Sequence, residues 1–238
     1  MKQQALAYII ALVLLIPAMG NAAETIRVNT SIKPPFSTED ETGFFDVLLK
    51  ELAKRMDVDF QLVRQPPERA LVSINNGASD MELPRIAGLE KRYKNLVMVP
   101  EKVIDYNFVA FSRTKMCLRS WDALSKLRVG YLIGWKIFEK NVPDGTSITK
   151  LNRPDLMFDM LDMGRIDIGL YERHAGWHMI RDHGHDSIKE CDPPLAVRPM
   201  YIYLHKSQEG LAPLIASQLK AMKSDGTYKK IMDATLRK

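Results

Sequence analysis

Arg85 and Glu172 stand at matching places in two similar stretches of this chain. Residues 70–80 end in Gly77-Ala78-Ser79-Asp80, and residues 157–167 end in Gly164-Arg165-Ile166-Asp167. Five residues past each Asp stands a charge, Arg85 in the first copy and Glu172 in the second. A guanidinium fork holds an anionic group such as a carboxylate. A carboxylate meets an amine or another donor. Two such groups facing each other would bind a small molecule between them. Each also has a plainer reading. Arg85 would neutralise Glu82, and Glu172 would cap a helix start, where acids are favoured. Arg69, just after Pro66-Pro67, is a further cation that faces either the same gap or solvent.

Other chemistry is less well supported. The chain offers no convincing Ser-His-Asp or Cys-His set. His174 and His178 are four apart, with His183 and His185 close behind. Helical His-x-x-x-His can bind zinc. Here the metalloprotease Glu is missing and the next stretch is polar, so these read as surface histidines. No metal and no cofactor is expected. Cys117 and Cys191 are too far apart for a Cys-x-x-Cys motif. They are either a disulfide or two separate buried thiols, and both suit an oxidising compartment.

The elements that must position these groups follow from periodicity. Counting back from each Gly, apolar residues fall three and six positions earlier: Ile74 and Leu71, then Leu161 and Phe158. That is helical spacing, and the Gly suits a left-handed residue closing a helix. Each Asp then opens a short apolar strand, 81–83 or 166–170. Small-molecule sites of open α/β sheets lie at the carboxyl ends of strands, where Arg85 and Glu172 fall.

The remaining chain alternates in the same way. Strands are predicted at 26–30, 58–62, 96–99, 108–111, 129–132, 148–151 and 201–204. Helices are predicted on the face of Phe45, Leu48, Leu49, Leu52, Ala53 and Met56, over 121–127, through Ile137 and Phe138, and over 172–181, 211–222 and 228–236. Residues 182–191 read as a polar loop. Such alternation predicts mainly parallel sheets. Crossings near 101–108 and 198–203 would serve as a hinge.

Composition sets the class. Met1-Lys2, an apolar run over 5–16 and Gly20-Asn21-Ala22 form a secretory signal over residues 1–22. Roughly 215 residues remain, enough for one large domain or two small lobes. A chain that is 46% hydrophobic and 26% charged is ordinary globular material. The net charge of +5 is scattered among acids, with no basic run interleaved with aromatics. No nucleic-acid partner is expected.

Several short motifs, in order, carry a resemblance. They are Lys33-Pro34-Pro35-Phe36, Gly43-Phe44-Phe45-Asp46-Val47, the two Gly-x-x-Asp units, the run from Leu124 to Gly130, and the run from Leu219 to Ile231. Together they resemble the family 3 extracellular binding proteins, periplasmic proteins of polar amino-acid uptake. The resemblance implies an α/β fold of two Rossmann-like lobes joined by a two-strand hinge, the type II periplasmic binding fold. Lobe one would comprise 23–104 and 201–238, and lobe two 105–200. It further implies a monomer in the periplasm that closes on a small carboxylate-bearing solute, an amino acid or related organic acid. The solute would pass to an inner-membrane ABC permease.

The resemblance also assigns residues. Arg92, twelve positions after Asp80, would bind the solute carboxylate. Glu172, where the family usually has Asp, would receive the solute's amino group. Phe36 would form part of an aromatic wall. The chain departs from the pattern at Pro84 to Leu89, which lack the usual hydroxyls, and at Trp135-Lys136, which follow Gly134 where Ser or Thr is usual. The pocket thus gains Arg85, Trp135 and Lys136 and loses small donors, which favours a bulkier, more anionic or aromatic solute. Two alternatives stay open. One is a cyclohexadienyl (prephenate or arogenate) dehydratase on the same fold, with Glu172 as the acid. The other is a sensory component feeding a separate membrane receptor.

Overall fold

The computed structural model describes residues 25–31, 33–114 and 118–236. The expected signal over 1–22 and the Cys117 half of the proposed disulfide lie outside them. Each copy of the repeat builds a strand–helix–strand–helix–strand unit. The first contains β1 (Thr25–Thr30), α1 (Phe44–Met56), β2 (Asp59–Arg64), α2 (Pro67–Asn75) and β3 (Met81–Ile86). The second contains β6 (Arg128–Leu132), α3 (Lys136–Asn141), β7 (Ser147–Leu151), α4 (Pro154–Asp162) and β8 (Ile168–Glu172). In both units the first strand lies between the other two and runs parallel to them.

The same polar latch ties each unit together. Arg27 N–H and Nε–H donate to Asp80, both at 2.9 Å, while its Nη2–H donates to the Gly77 carbonyl at 3.2 Å. Arg128 repeats this with Asp167 at 2.8 and 3.1 Å and with the Gly164 carbonyl at 2.8 Å. Gly77 and Gly164 both adopt positive φ, 74° and 68°. The helix-closing role read from the sequence is therefore present in both copies.

Between the units run β5 (Ile104–Ser112) and β9 (Lys189–His205), antiparallel to each other. They join everything into one nine-stranded sheet of order β2-β1-β3-β9-β5-β8-β6-β7, with β4 (Leu96–Met98) paired to β9. The expected predominance of parallel pairing is corrected here. β3/β9, β4/β9, β5/β8 and β5/β9 are antiparallel, because the linking strands cross from one unit to the other in opposite directions. The expected loop over 182–191 is also shortened, since β9 already begins at Lys189. The predicted helix over 121–127 is only a 3₁₀ turn, Trp121–Leu124. The helices α5 (Arg173–His183), α6 (Ala212–Ser224) and α7 (Thr227–Leu236) complete the fold.

Apolar packing fixes these elements relative to one another. The α1 face reads as the spacing predicts, with Phe45, Leu48, Leu49 and Leu52 buried. α5 lies close against β5 because residue 176 is Gly; a Cβ there would sit 2.2 Å from the Phe111 ring. No helix among the described residues is long and apolar enough to cross a membrane.

Candidate functional site

The loop after β1 carries Lys33 and Phe36 and is held rigidly. Lys33 N–H donates to the Ser37 carbonyl at 2.9 Å, and Phe36 N–H to the Lys33 carbonyl at 2.9 Å. The buried carboxylate of Asp46, in the first turn of α1, accepts from Ser37 Oγ at 2.6 Å, Thr38 N at 2.9 Å and Gly43 N at 3.1 Å. Arg64, near the end of β2, pairs with Asp46 at 3.3 Å and also donates to Thr30 Oγ1 and Ser37 Oγ. Gly43 must be glycine: a Cβ there would meet the Phe36 carbonyl at 2.7 Å. A buried charge paired and hydrogen-bonded on several sides resists displacement, so the loop presents Lys33 in a fixed direction.

Lys33 points into a cage of rings. Its Nζ lies 4.3 Å from the centroid of Tyr106 on β5, 5.1 Å from Phe36 and 5.2 Å from Trp135 at the start of α3. The rings support one another. Phe36 and Tyr106 are 4.8 Å apart, as are Trp135 and Tyr171, while Trp135 stacks on Phe138 at 5.5 Å. The cage therefore draws on the first unit, a linking strand and the second unit. A cation over aromatic faces is attracted by their quadrupoles, more so when desolvated.

Glu172 ends β8 and caps α5. It is fully buried; its Oε2 accepts from Ala175 N–H at 3.0 Å, and its Oε1 has no hydrogen-bond partner among the described residues. Burial pushes its carboxyl above the ordinary range, opposed by the Ala175 N–H and the Lys33 charge. Burial pushes the Lys33 ammonium below its ordinary range; Glu172 opposes this and Arg85 reinforces it. The Tyr106 phenol is also buried without a partner among the described residues, and it is held neutral by burial and by the Glu172 charge.

Arg85 approaches the same cluster from β3, and its charge reaches both Lys33 and Tyr106. It donates from Nε to Glu82 at 2.6 Å and from Nη2 to the Pro67 carbonyl at 2.5 Å. Glu82 is buried, its Oε2 has no partner among the described residues, and burial raises its carboxyl to about 6 against the pull of Arg85. The β3/β9 register shifts between Glu82 and Arg85, where Pro84 contributes no N–H.

Of the residues expected from sequence, Arg85, Glu172, Phe36 and Trp135 come together around Lys33. Arg92 and Arg69 do not. Arg92 is exposed beside the 3₁₀ turn Leu89–Lys91, with its guanidinium 5.4 Å from the Tyr93 ring. Arg69 is exposed on α2. Lys136 is exposed too, and reaches Glu68 of α2 at 4.0 Å, a contact from one unit to the other. Sequence reasoning assigned no role to Lys33, Tyr106 or Tyr171. Lys33 was visible only as the first residue of the Lys-Pro-Pro-Phe motif.

The histidines need one correction. His183 is exposed, but His185 is buried, 3.4 Å from Asp159 and 3.7 Å from Asp162, because it packs along Phe158. His174 is half-buried with its ring 6.0 Å from Phe36, and burial lowers its pKa. No group of three or more His, Cys, Asp or Glu among the described residues is placed to hold a metal. Cys191 is buried in β9 opposite Ala110.

Similarities to known proteins agree with this architecture. The family model for bacterial extracellular solute-binding proteins, family 3, matches residues 26–237. A curated relative, an uncharacterized protein of Shewanella oneidensis MR-1, is 25% identical over 176 residues, which cover 69% of this chain. The match spans 65% of that relative's length. An ancestral arginine-binding protein bound to arginine superimposes with a TM-score of 0.75 at 23% identity, over 89% of this chain and 97% of that one. A putative binding component of an ABC transporter from Wolinella succinogenes, complexed with lysine, gives 0.76 at 16% identity, over 89% and 95%. At these identities the solved structures show the shared type II periplasmic binding fold.

Proposed function

The chain belongs to the bacterial extracellular solute-binding proteins, family 3, and on that premise we propose that it closes on a small carboxylate-bearing solute in the periplasm and delivers it to an ABC permease. The observation that carries this reading is the convergence of Arg85, Trp135, Phe36 and Glu172, from both repeat units, at the carboxyl ends of β3 and β8. Arg85 holds the solute's anionic group from the first lobe, 23–104 with 201–238. Trp135 and Phe36 provide walls, and Glu172 presents an acceptor from the second lobe, 105–200. The test is a thermal-shift screen of the mature protein from Ala23 against amino acids, hydroxy acids, small dicarboxylates, aromatic acids and prephenate. A ligand that binds the folded state alone raises its stability by mass action. A shift with one carboxylate class, lost in Arg85→Ala, is expected; no shift with any carboxylate removes the reading.

One observation favours a second reading. Glu172 is a buried carboxyl whose pKa is raised, as a general acid requires. In a dehydratase it would protonate a leaving hydroxyl while Arg85 held the substrate carboxylate. Prephenate turnover that disappears in Glu172→Gln would establish this activity; binding without turnover would exclude it.

A further inference from the structure

Any solute ammonium bound at Glu172 would need three things: the carboxylate, aromatic faces to replace its water, and room. The carboxylate is present, and the aromatic faces beside it are already engaged. Lys33 Nζ already stands among Tyr106, Phe36 and Trp135, at 4.3, 5.1 and 5.2 Å. Its charge acts on Glu172. The backbone that carries it is pinned by the Lys33–Ser37 pairing and by the Asp46–Arg64 network beneath. A tethered ammonium competes at high effective concentration with any free one. Displacing it would strip a partly buried cation of all three ring faces. Seating a second ammonium beside it would set three cations, with Arg85, against the same carboxylates.

Resting on the carboxylate-solute reading and narrowing it, we infer that Lys33 is a built-in counter-cation that holds the ring cage beside Glu172, so that the solute is an organic acid without an ammonium group. The orphaned acceptors fit this. Among the described residues, Glu172 Oε1 and Glu82 Oε2 are buried and unpartnered, as is the Tyr106 hydroxyl. A neutral hydroxyl can donate to such an oxygen without repelling Lys33 or Arg85. The solute class is therefore a hydroxylated or unsubstituted carboxylate.

The experiment compares isosteric pairs in which a hydroxyl replaces the ammonium: malate with aspartate, 2-hydroxyglutarate with glutamate, phenyllactate with phenylalanine, and the 2-hydroxy analogue of arginine with arginine. Calorimetry on the wild-type protein should show the hydroxy member of the binding pair about tenfold or more tighter. In Lys33→Ala that preference should vanish or invert. The vacated cage should also accept propylammonium, the fragment removed by the substitution, with a thermal shift that the wild type does not show. A wild-type preference for the amino member overturns the inference and leaves the carboxylate reading standing. So does a folded Lys33→Ala that keeps the hydroxy preference and ignores propylammonium. If Lys33→Ala does not fold, the wild-type pairs alone decide. Silence from both members of every pair and from every other carboxylate of the screen overturns the carboxylate reading itself, and this inference with it.

Discussion

The two repeat units share their latch and differ five residues beyond it. Arg27 with Asp80 and Arg128 with Asp167 make the same bonds, down to the guanidinium contact with the Gly carbonyl. Past the latch, the first unit places Arg85, which pairs with Glu82 three residues earlier and meets the Pro67 carbonyl. The second places Glu172, which has no charged side chain within ion-pair distance among the described residues and takes a helix N–H instead. The two strands lead into different segments, and this sets the contrast. β3 runs on past Pro84 into a 3₁₀ turn, so its charge stays beside solvent, whereas β8 runs directly into α5, whose first turn buries the carboxylate. The duplicated backbone is thus fixed by one interaction, and the site is made by the position where the copies diverge.

The sharpest way to break that comparison is to remove the two diverging charges separately. Glu172→Ala should cost about 3 kcal/mol, since it uncaps α5 and removes the charge that offsets the desolvation of Lys33. Arg85→Ala should cost about half as much, because the stranded Glu82 can take up a proton. Urea unfolding of both variants at neutral pH measures the difference; equal losses would show that the two positions are energetically alike.

The shared latch gives the next largest effect. Asp80→Ala should cost about 2 kcal/mol, from charge-assisted bonds to a backbone N–H and a guanidinium. Asp167→Ala should cost less, because the Asp167 side chain is 35% exposed against 10% for Asp80. The same unfolding curves test this order, and a larger loss at Asp167 would contradict it.

Glu82 supplies a pH signature found in the first unit. Its folded pKa of about 6 lies above the ordinary Glu value of 4.5. A raised acid contributes stability that is fully present below about 4.5 and lost as pH rises through about 6. Over that window the loss is about 2 kcal/mol. Glu82→Gln should therefore flatten the fall in stability between pH 4 and pH 7 relative to wild type. Unfolding free energies at the two pH values check the sign, and an unchanged slope would mean that Arg85 fully compensates the burial.

The smallest effect is expected where the units touch. Glu68 and Lys136 meet at 4.0 Å with side chains 66% and 68% exposed. Screened pairs of this kind add little stability. Lys136→Ala should leave the unfolding midpoint unchanged; a clear drop would make this contact part of the fold.

Much of the scaffold was legible because its signals are local. Helical spacing before Gly77 and Gly164, the strands after Asp80 and Asp167, and the α1 face all depend on residues a few positions apart. Both plainer readings of the diverging charges were local as well, and both hold: Arg85 pairs with Glu82, and Glu172 caps α5. The antiparallel half of the sheet was not legible, since the direction of β5 and β9 depends on which strands they cross between. His185 was misread for a similar reason: a polar sequence neighbourhood does not reveal that Phe158 lies over its ring.

The sequence by itself determined that this is a duplicated α/β protein, and where along it the two units diverge in charge. Periodicity and turn chemistry suffice for that, being properties of neighbouring residues. Only the tertiary structure decided that Lys33 stands between Tyr106, Phe36 and Trp135, where its charge acts on Glu172, while Arg92 stays outside. Those partners come from segments distant in sequence, and a cage of ring faces exists only once β5 has brought the two units together.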